Sequence, residues 1–233
     1  MENLLHEYLE RTFSESAHKL SDPCGAGPVV TISREFGCPS KLIAQMLTEA
    51  LNKRYPKGSR WRTINKEVVE ESAHRLDRNA TDVHYLISAG NKGLVEDILS
   101  SFSQSYVSSV RLRKTLTTVI RMFAQQGHIV LVGRGGAGIL QGCQNTLHIR
   151  LMAPLPWRIE ELSARKQISR LEAQKLAVDM DQKRSSLLEL MAGSRPQPTL
   201  FDVIYNCSTL SCSEVVMSVL GVMEARQMVK PGN

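Results

Sequence analysis

The sequence predicts an α/β fold in which a mostly parallel sheet is covered on both faces by helices. Short β-rich apolar runs alternate along the chain with segments of helical period, an order that produces parallel strands joined by crossover helices. Hydrophobic residues make up 42% of the chain and charged residues 22%, an ordinary globular balance that argues against general disorder. At 233 residues the chain is long for one domain and short for two. One domain carrying a lid or an insertion is therefore expected.

Taken in order, residues 1–20 read as a helix, with Leu4, Leu5, Tyr8, Leu9 and Phe13 on one face. A breaker-rich linker follows over 21–28, and the first strand is expected at 29–33. A glycine-bearing turn leads to a helix over 39–54, striped by Leu42, Ile43, Met46, Leu47 and Leu51. A weaker strand at 61–64 opens into a helix over 66–76. Residues 77–108 are polar, with short helices broken around Gly90 to Gly93. A helix over 109–126 stops at Gly127, and two strong strands follow at 128–132 and 146–152. A charged helix runs from Arg158, breaks at Ile168-Ser169-Arg170 and resumes to about Ala192. A loop over 193–198, a strand at 201–205 and a helix over 213–227 complete the chain.

Composition excludes several classes of function. No apolar run approaches ~18 residues, so no membrane span is expected. The acidic, amphipathic start of the chain is unlike a signal peptide, and a cytoplasmic location is expected. The five cysteines, Cys24, Cys38, Cys143, Cys207 and Cys212, lack the clustered spacing of a metal site and read as buried or idle thiols. The net charge of +6 suits a phosphorylated ligand, nucleic acid or solubility alone. Its basic groups carry no interleaved aromatics for stacking single strands, so nucleic acid is the least favoured partner. The oligomeric state stays open, and the amino-terminal helix can pack on a partner or on its own chain.

Ligands of open parallel sheets gather at the carboxyl ends of the strands, and three segments there stand out. The first is Ser33-Arg-Glu-Phe-Gly-Cys-Pro-Ser-Lys41, where a strand, a glycine turn and a helix start offer backbone N–H groups to an anion. It departs from G-x-x-x-x-G-K-[ST]: Ser40 stands at the lysine position and Lys41 one place later. An ordinary strand-to-helix turn fits the same spacing. The second is Val132-Gly-Arg-Gly-Gly-Ala-Gly138. It contains G-x-G-x-x-G but lacks the acidic residue that a dinucleotide site requires at the end of the next strand. Arg134 in this turn has the forked geometry for a phosphate, although tight helix–strand packing also calls for glycines. The third is the charged stretch with Arg158, Arg165, Arg170, Asp181 and Arg184. It reads as a movable flap bringing cations to a phosphoryl group, or as a solvated helix pair.

Five segments carry a family resemblance: Thr31-Ile-Ser-Arg-Glu-Phe-Gly37, Ile64-Asn-Lys-Glu-Val68, Val132-Gly-Arg-Gly-Gly-Ala137 with Ile139-Leu140, Leu147-His-Ile-Arg-Leu-Met-Ala-Pro-Leu155 and Asp202-Val-Ile-Tyr-Asn-Cys-Ser208. Together they resemble the cytidylate-kinase-like family, a branch of the P-loop nucleoside monophosphate kinases, over roughly residues 28–222. The resemblance implies a three-layer α/β/α, P-loop NTPase-like fold with a five-stranded parallel sheet. It divides the chain into an amino-terminal helix and linker (1–27) and a kinase-like domain (28–233) with a helical lid at about 157–198.

The same resemblance implies ATP with Mg2+ as phosphoryl donor at Arg34, Gly37, Cys38, Ser40 and Lys41, and the acceptor nucleotide, CMP or dCMP, at Asn65, Lys66, Gly133, Arg134, Gly135 and Gly136. Arg158, Arg165 and Arg184 become the catalytic lid arginines, and no protein metal ligand is assigned beyond a hydroxyl of Ser33 or Ser40. Two departures stand out. The chain has Gly37-Cys38-Pro39-Ser40 where related members carry G-S-G-G, and Pro39 removes a backbone donor. Asn65 replaces a common acidic residue. The expected activity is ATP-dependent phosphoryl transfer to a nucleoside monophosphate. The competing expectation is a nucleotide-binding or regulatory protein that kept the fold and lost turnover.

Overall fold

A computed structural model describes residues 25, 27–56, 59–67, 69 and 106–229, with side chains from 113 onward in the last stretch. The helix expected at 1–20 and the segment 77–105 lie outside the described residues. The elements are β1 (Val29–Arg34), α1 (Ser40–Arg54), β2 (Arg62–Ile64), α2 (Tyr106–Gln126), β3 (Ile129–Val132), α3 (Gly136–Ile139), β4 (Thr146–Met152), α4 (Leu155–Lys166), α5 (Arg170–Ala192), a 3-10 turn (Pro198–Leu200), β5 (Val203–Asn206) and α6 (Cys212–Ala225).

Among the described residues the strands form one five-stranded sheet of order β2-β3-β1-β4-β5, and every pairing is parallel. The register sets Val29 beside Ile129 and Thr146, and Ser33 beside Arg150. Chain order moves away from β1 to one side for β2 and β3 and to the other for β4 and β5. That reversal opens a crevice above the carboxyl ends of the central strands.

Both faces of the sheet are buried, because adjacent residues of a strand point to opposite sides. Val30, Ile32, Leu147 and Ile149 join Ile43, Leu47 and Leu51 of α1 and Val215, Val219 and Met223 of α6 in one core. Val29, Ile129 and Leu131 face Leu116, Val119, Ile120 and Phe123 of α2, with Leu187 and Met191 of α5, in the other. This is the three-layer α/β/α arrangement, and the near-continuous apolar runs of β1, β3 and β4 follow from it.

Local chemistry sets the helix limits. Gln167 adopts a left-handed φ of 55° and turns the chain out of α4. Ser169 then caps α5 through a capping box with Glu172, as Ser211 does for α6 with Glu214. The expected break at 168–170 is this pair of signals. α4 begins at Leu155, ahead of the expected Arg158, because Pro156 falls in its first turn, where proline costs the helix nothing. The short helix α3, unforeseen in the sequence, starts directly from the glycine-rich turn after β3. Cys38, Cys207 and Cys212 are free thiols. Cys143 is buried, as expected, but disulfide-bonded, which corrects its reading as a thiol; its spacing to the other cysteines gave no sign of a bridge.

Candidate functional site

A cleft of about 380 Å³ opens at the carboxyl ends of the central strands, against α5. Its lining brings together Arg34 at the end of β1, Arg134 in the turn after β3, Arg150 of β4 and Arg184 of α5. Among the described residues these four arginines face two lining carboxylates, Glu35 and Asp181. Both carboxylates are also engaged by Arg158, at 3.4 Å and 2.6 Å. Positive charge is thus concentrated in a partly desolvated crevice.

The pKa shifts express the same crowding. Burial, then the charges of Arg184 and Arg134, lower Arg34 well below its ordinary value, to about 9, with Glu67 acting in its favour. Burial lowers Arg134 to about 10, with Glu67 raising it and Arg184 lowering it further. Arg184 is lowered chiefly by burial, against the support of Asp181. Lys66 joins the group, lowered by burial and then by Arg134. Arginines stay charged in proteins, so these shifts measure electrostatic and desolvation stress that an anion would relieve.

Aromatic faces and backbone geometry hold the guanidinium groups in place. The Arg184 guanidinium lies 5.0 Å from the Phe36 ring centre, and that of Arg150 lies 5.2 Å from the Phe201 ring. Arg184 Nη1 also donates to the carbonyl of Arg34 at 3.4 Å. Among the described residues the Nε atoms of Arg34 and Arg150 are buried and have no hydrogen-bond partner. Gly133 has φ 77°, and a Cβ there would overlap the Arg34 guanidinium, so the glycine lets the arginine lie flat across the turn. Arg134 itself takes a left-handed φ of 55°, a conformation that disfavours any side chain larger than hydrogen.

The other sequence candidates fall in different places. Gly133, Arg134 and Gly135 line the cleft, whereas Gly136 is buried at the start of α3. Asn65 follows β2 directly, and its carbonyl accepts from the Val69 N–H at 3.2 Å as the first bond of a helical turn. Arg34, expected on the donor side, lies instead with Arg134 and Arg184. Gly37, Cys38, Ser40 and Lys41 do not line the cleft, and Lys41 is exposed on the first turn of α1.

Arg158 and Arg165 were expected to act together with Arg184; the structure sets Arg158 near Arg184, with Asp181 close to both, but outside the lining of the cleft. Arg158 is 6% exposed and clasps the β1–α1 loop. Its Nε donates to the Ala153 carbonyl at 2.9 Å, and its Nη1 donates to Phe36 O at 3.0 Å and Asp181 Oδ2 at 2.6 Å. Arg165, two turns on, is exposed in the last turn of α4.

The β1–α1 loop is arranged around this clasp. The Phe36 N–H donates to Asp181 Oδ1 at 2.6 Å. The Cys38 and Ser40 N–H groups donate to Glu35 and Cys38 carbonyls, at 3.4 Å and 2.9 Å, and Pro39 has none to give. Gly37 has φ 106°, and a Cβ on it would lie 2.9 Å from Arg158 Cβ. In this arrangement a carboxylate occupies the loop amide and an arginine stem fills the space over the glycine.

Sequence reasoning missed Arg150 and the direction of Arg34. Arg150 carried a readable signal: a charge in the middle of the buried run Thr146–Met152 breaks the apolar pattern of an interior parallel strand and so needs a reason to be there.

Comparisons with known proteins agree with this architecture. The structure resembles that of an uncharacterized protein from Eubacterium ventriosum, with a TM-score of 0.62 at 17% identity, covering 85% of this chain and 98% of that one. A shikimate kinase from Bacteroides thetaiotaomicron aligns with a TM-score of 0.47 at 10% identity, covering 84% and 98%. No curated protein matches. The sequence profile of the cytidylate kinase-like family matches residues 29–209, most of the chain and all five strands, and the chain belongs to that family.

Proposed function

We propose that this protein binds a nucleoside monophosphate through its phosphate, held in the arginine cleft, with CMP or dCMP the acceptor class that the resemblance favours. The observation that carries the proposal is the convergence of Arg34, Arg134, Arg150 and Arg184 on one crevice. Several guanidinium groups crowded into one partly desolvated crevice form a poor packing arrangement and a good receptor for a doubly charged phosphate. The cationic neighbours depress one another, and a dianion would reverse the sign of that interaction. Arg34 and Arg150 would donate from their buried Nε atoms, and Arg134 and Arg184 would close on the remaining oxygens.

A second reading, phosphoryl transfer from ATP with Mg2+, has its own support. The Phe36 N–H already holds an anionic oxygen, that of Asp181, so the loop has the polarity to hold a phosphate if α5 draws the carboxylate away. Movement of the α4–α5 pair as a lid belongs to this reading. Among the described residues no three His, Cys, Asp or Glu side chains converge on a metal site. Magnesium would therefore depend on phosphate oxygens, with Ser33, which lines the cleft, as the nearer hydroxyl.

Calorimetry with CMP, dCMP, AMP and inorganic phosphate tests the first reading, and an ADP-release assay over the same panel tests the second. Binding that Arg134→Ala abolishes, without ADP release, supports the cleft alone. No binding by any monophosphate overturns the proposal.

A further inference from the structure

Two cysteines that the arginine cleft does not use meet beside the phosphate loop. Cys38 lies in that loop, and Cys207 is the first residue beyond β5. Each is 7% exposed, and both belong to the core beneath α1 and α6. The two loops are fastened to the same strand end. Ala153 N–H donates to Glu35 Oε2 at 3.1 Å, and Cys207 N–H donates to Met152 O at 2.8 Å. That shared anchor draws the β1–α1 loop across the end of β4 toward β5, and the two thiols hydrogen-bond to each other.

The pairing is polarised. The bond holds the Cys38 thiol up and the Cys207 thiol down, so Cys38 donates and the Cys207 sulfur accepts. Arg158 favours an ionised sulfur at Cys38 and Glu35 opposes it, while Cys212 is a further thiol near Cys207. The thiolate is the reacting form of cysteine.

We propose that Cys38 and Cys207 are an oxidisable dithiol that closes to a disulfide when a hydroperoxide reaches it, tying the phosphate loop to the end of β5. The Cys207 sulfur attacks the peroxide, the O–O bond breaks, and a sulfenic acid and one water form. The Cys38 sulfur then attacks the Cys207 sulfur, and the hydroxyl leaves with the Cys38 proton as a second water. Two electrons pass from the two sulfurs to hydrogen peroxide, and a thiol reductant reverses the change. The crosslink holds Cys38 between Gly37, which packs on Arg158, and Pro39, which opens α1. It therefore fixes the loop with Asp181 on the Phe36 amide. This last consequence rests on the proposed function, whereas formation of the bond does not.

The test uses the full chain, reduced, desalted and treated with hydrogen peroxide, then alkylated and digested without reductant. Mass spectrometry should find the Cys38 and Cys207 peptides joined with loss of two hydrogens and separated again by dithiothreitol. The link should disappear in Cys38→Ser and in Cys207→Ser and persist in Cys212→Ser. A Cys207–Cys212 link, irreversible oxidation of Cys207 beside free Cys38, or two unreacted thiols in the wild-type protein would each overturn the proposal. The wild-type crosslink is the primary readout, so the test stands even where a variant folds poorly. In the functional arm, pyrophosphate binding should fall at least tenfold on oxidation while CMP binding is unchanged. A crosslinked protein that binds pyrophosphate as before refutes the lock on the loop, whatever the cleft binds.

Discussion

Replacing Asp181 by alanine removes the carboxylate from the β1–α1 loop, and the geometry gives opposite signs for its effects on stability and on polyphosphate binding. The side chain accepts two charge-assisted hydrogen bonds, from the Phe36 N–H and from Arg158 Nη1, both at 2.6 Å. Each such bond contributes about 1.5–3 kcal/mol. Arg158 keeps Glu35 and the carbonyls of Ala153 and Phe36, and the 26% exposure of the Asp181 side chain lets water reach the vacated amide. The net cost is then nearer one bond than two, roughly 2–3 kcal/mol, or a fall in Tm of about 4–12 °C for a chain of this size. A polyphosphate seeking the same amide no longer has to displace a carboxylate. Its affinity should rise by up to the worth of one bond, roughly 10- to 150-fold.

Calorimetry with pyrophosphate and ATP, beside CMP as the ligand of the cleft, measures both signs. Asp181→Asn keeps an oxygen on the Phe36 amide without the charge and should give an intermediate gain. Equal gains for CMP and pyrophosphate would mean that Asp181 acts only through the overall potential of the cleft. No gain for pyrophosphate in a folded variant would refute the reasoning that the carboxylate stands in a phosphate position.

Three further outcomes follow from the same geometry. Arg134→Gly should lower CMP affinity by about 1.5–3 kcal/mol while Tm stays at or above that of the wild type, because glycine suits φ 55° and a buried charge leaves a repulsive cluster; a matched loss of Tm would make Arg134 a structural residue. Arg165→Ala, on the exposed last turn of α4, should leave CMP affinity within twofold in the same calorimetric series. His148 is pushed below 6.5 by burial, and its Nδ1 lies 2.7 Å from the Thr31 hydroxyl. The unfolded chain therefore binds more protons below about pH 6.5, so stability is full above that value and falls as the pH drops through it. Asp202, also held low, adds to the loss only at more acid pH, and His148→Gln should flatten the first part of a Tm–pH profile.

The strands and most helix limits were legible because they depend on local signals. The run at 146–152 and the caps at Ser169 and Ser211 need only neighbours in sequence to specify them. The site was legible in its parts and obscured in its grouping. Arg134 and Arg184 announce themselves as arginines in a glycine turn and on a charged helix, but nothing local says that Arg34 leans toward Gly133 or that Arg158 is drawn into the core. Those directions arise from the strand order, which sets β1 between β3 and β4 and leaves Arg34 facing one neighbour while Glu35 reaches the other. Once Glu35 binds the end of β4 and Arg158 bridges Glu35 to Asp181, the Phe36 amide is taken up by Asp181. The missing loop lysine and Pro39 are then consistent with one another. A loop whose amide already holds a carboxylate from α5 needs neither a free lysine nor a complete set of amides, and the basic residues gather instead in the cleft beside it.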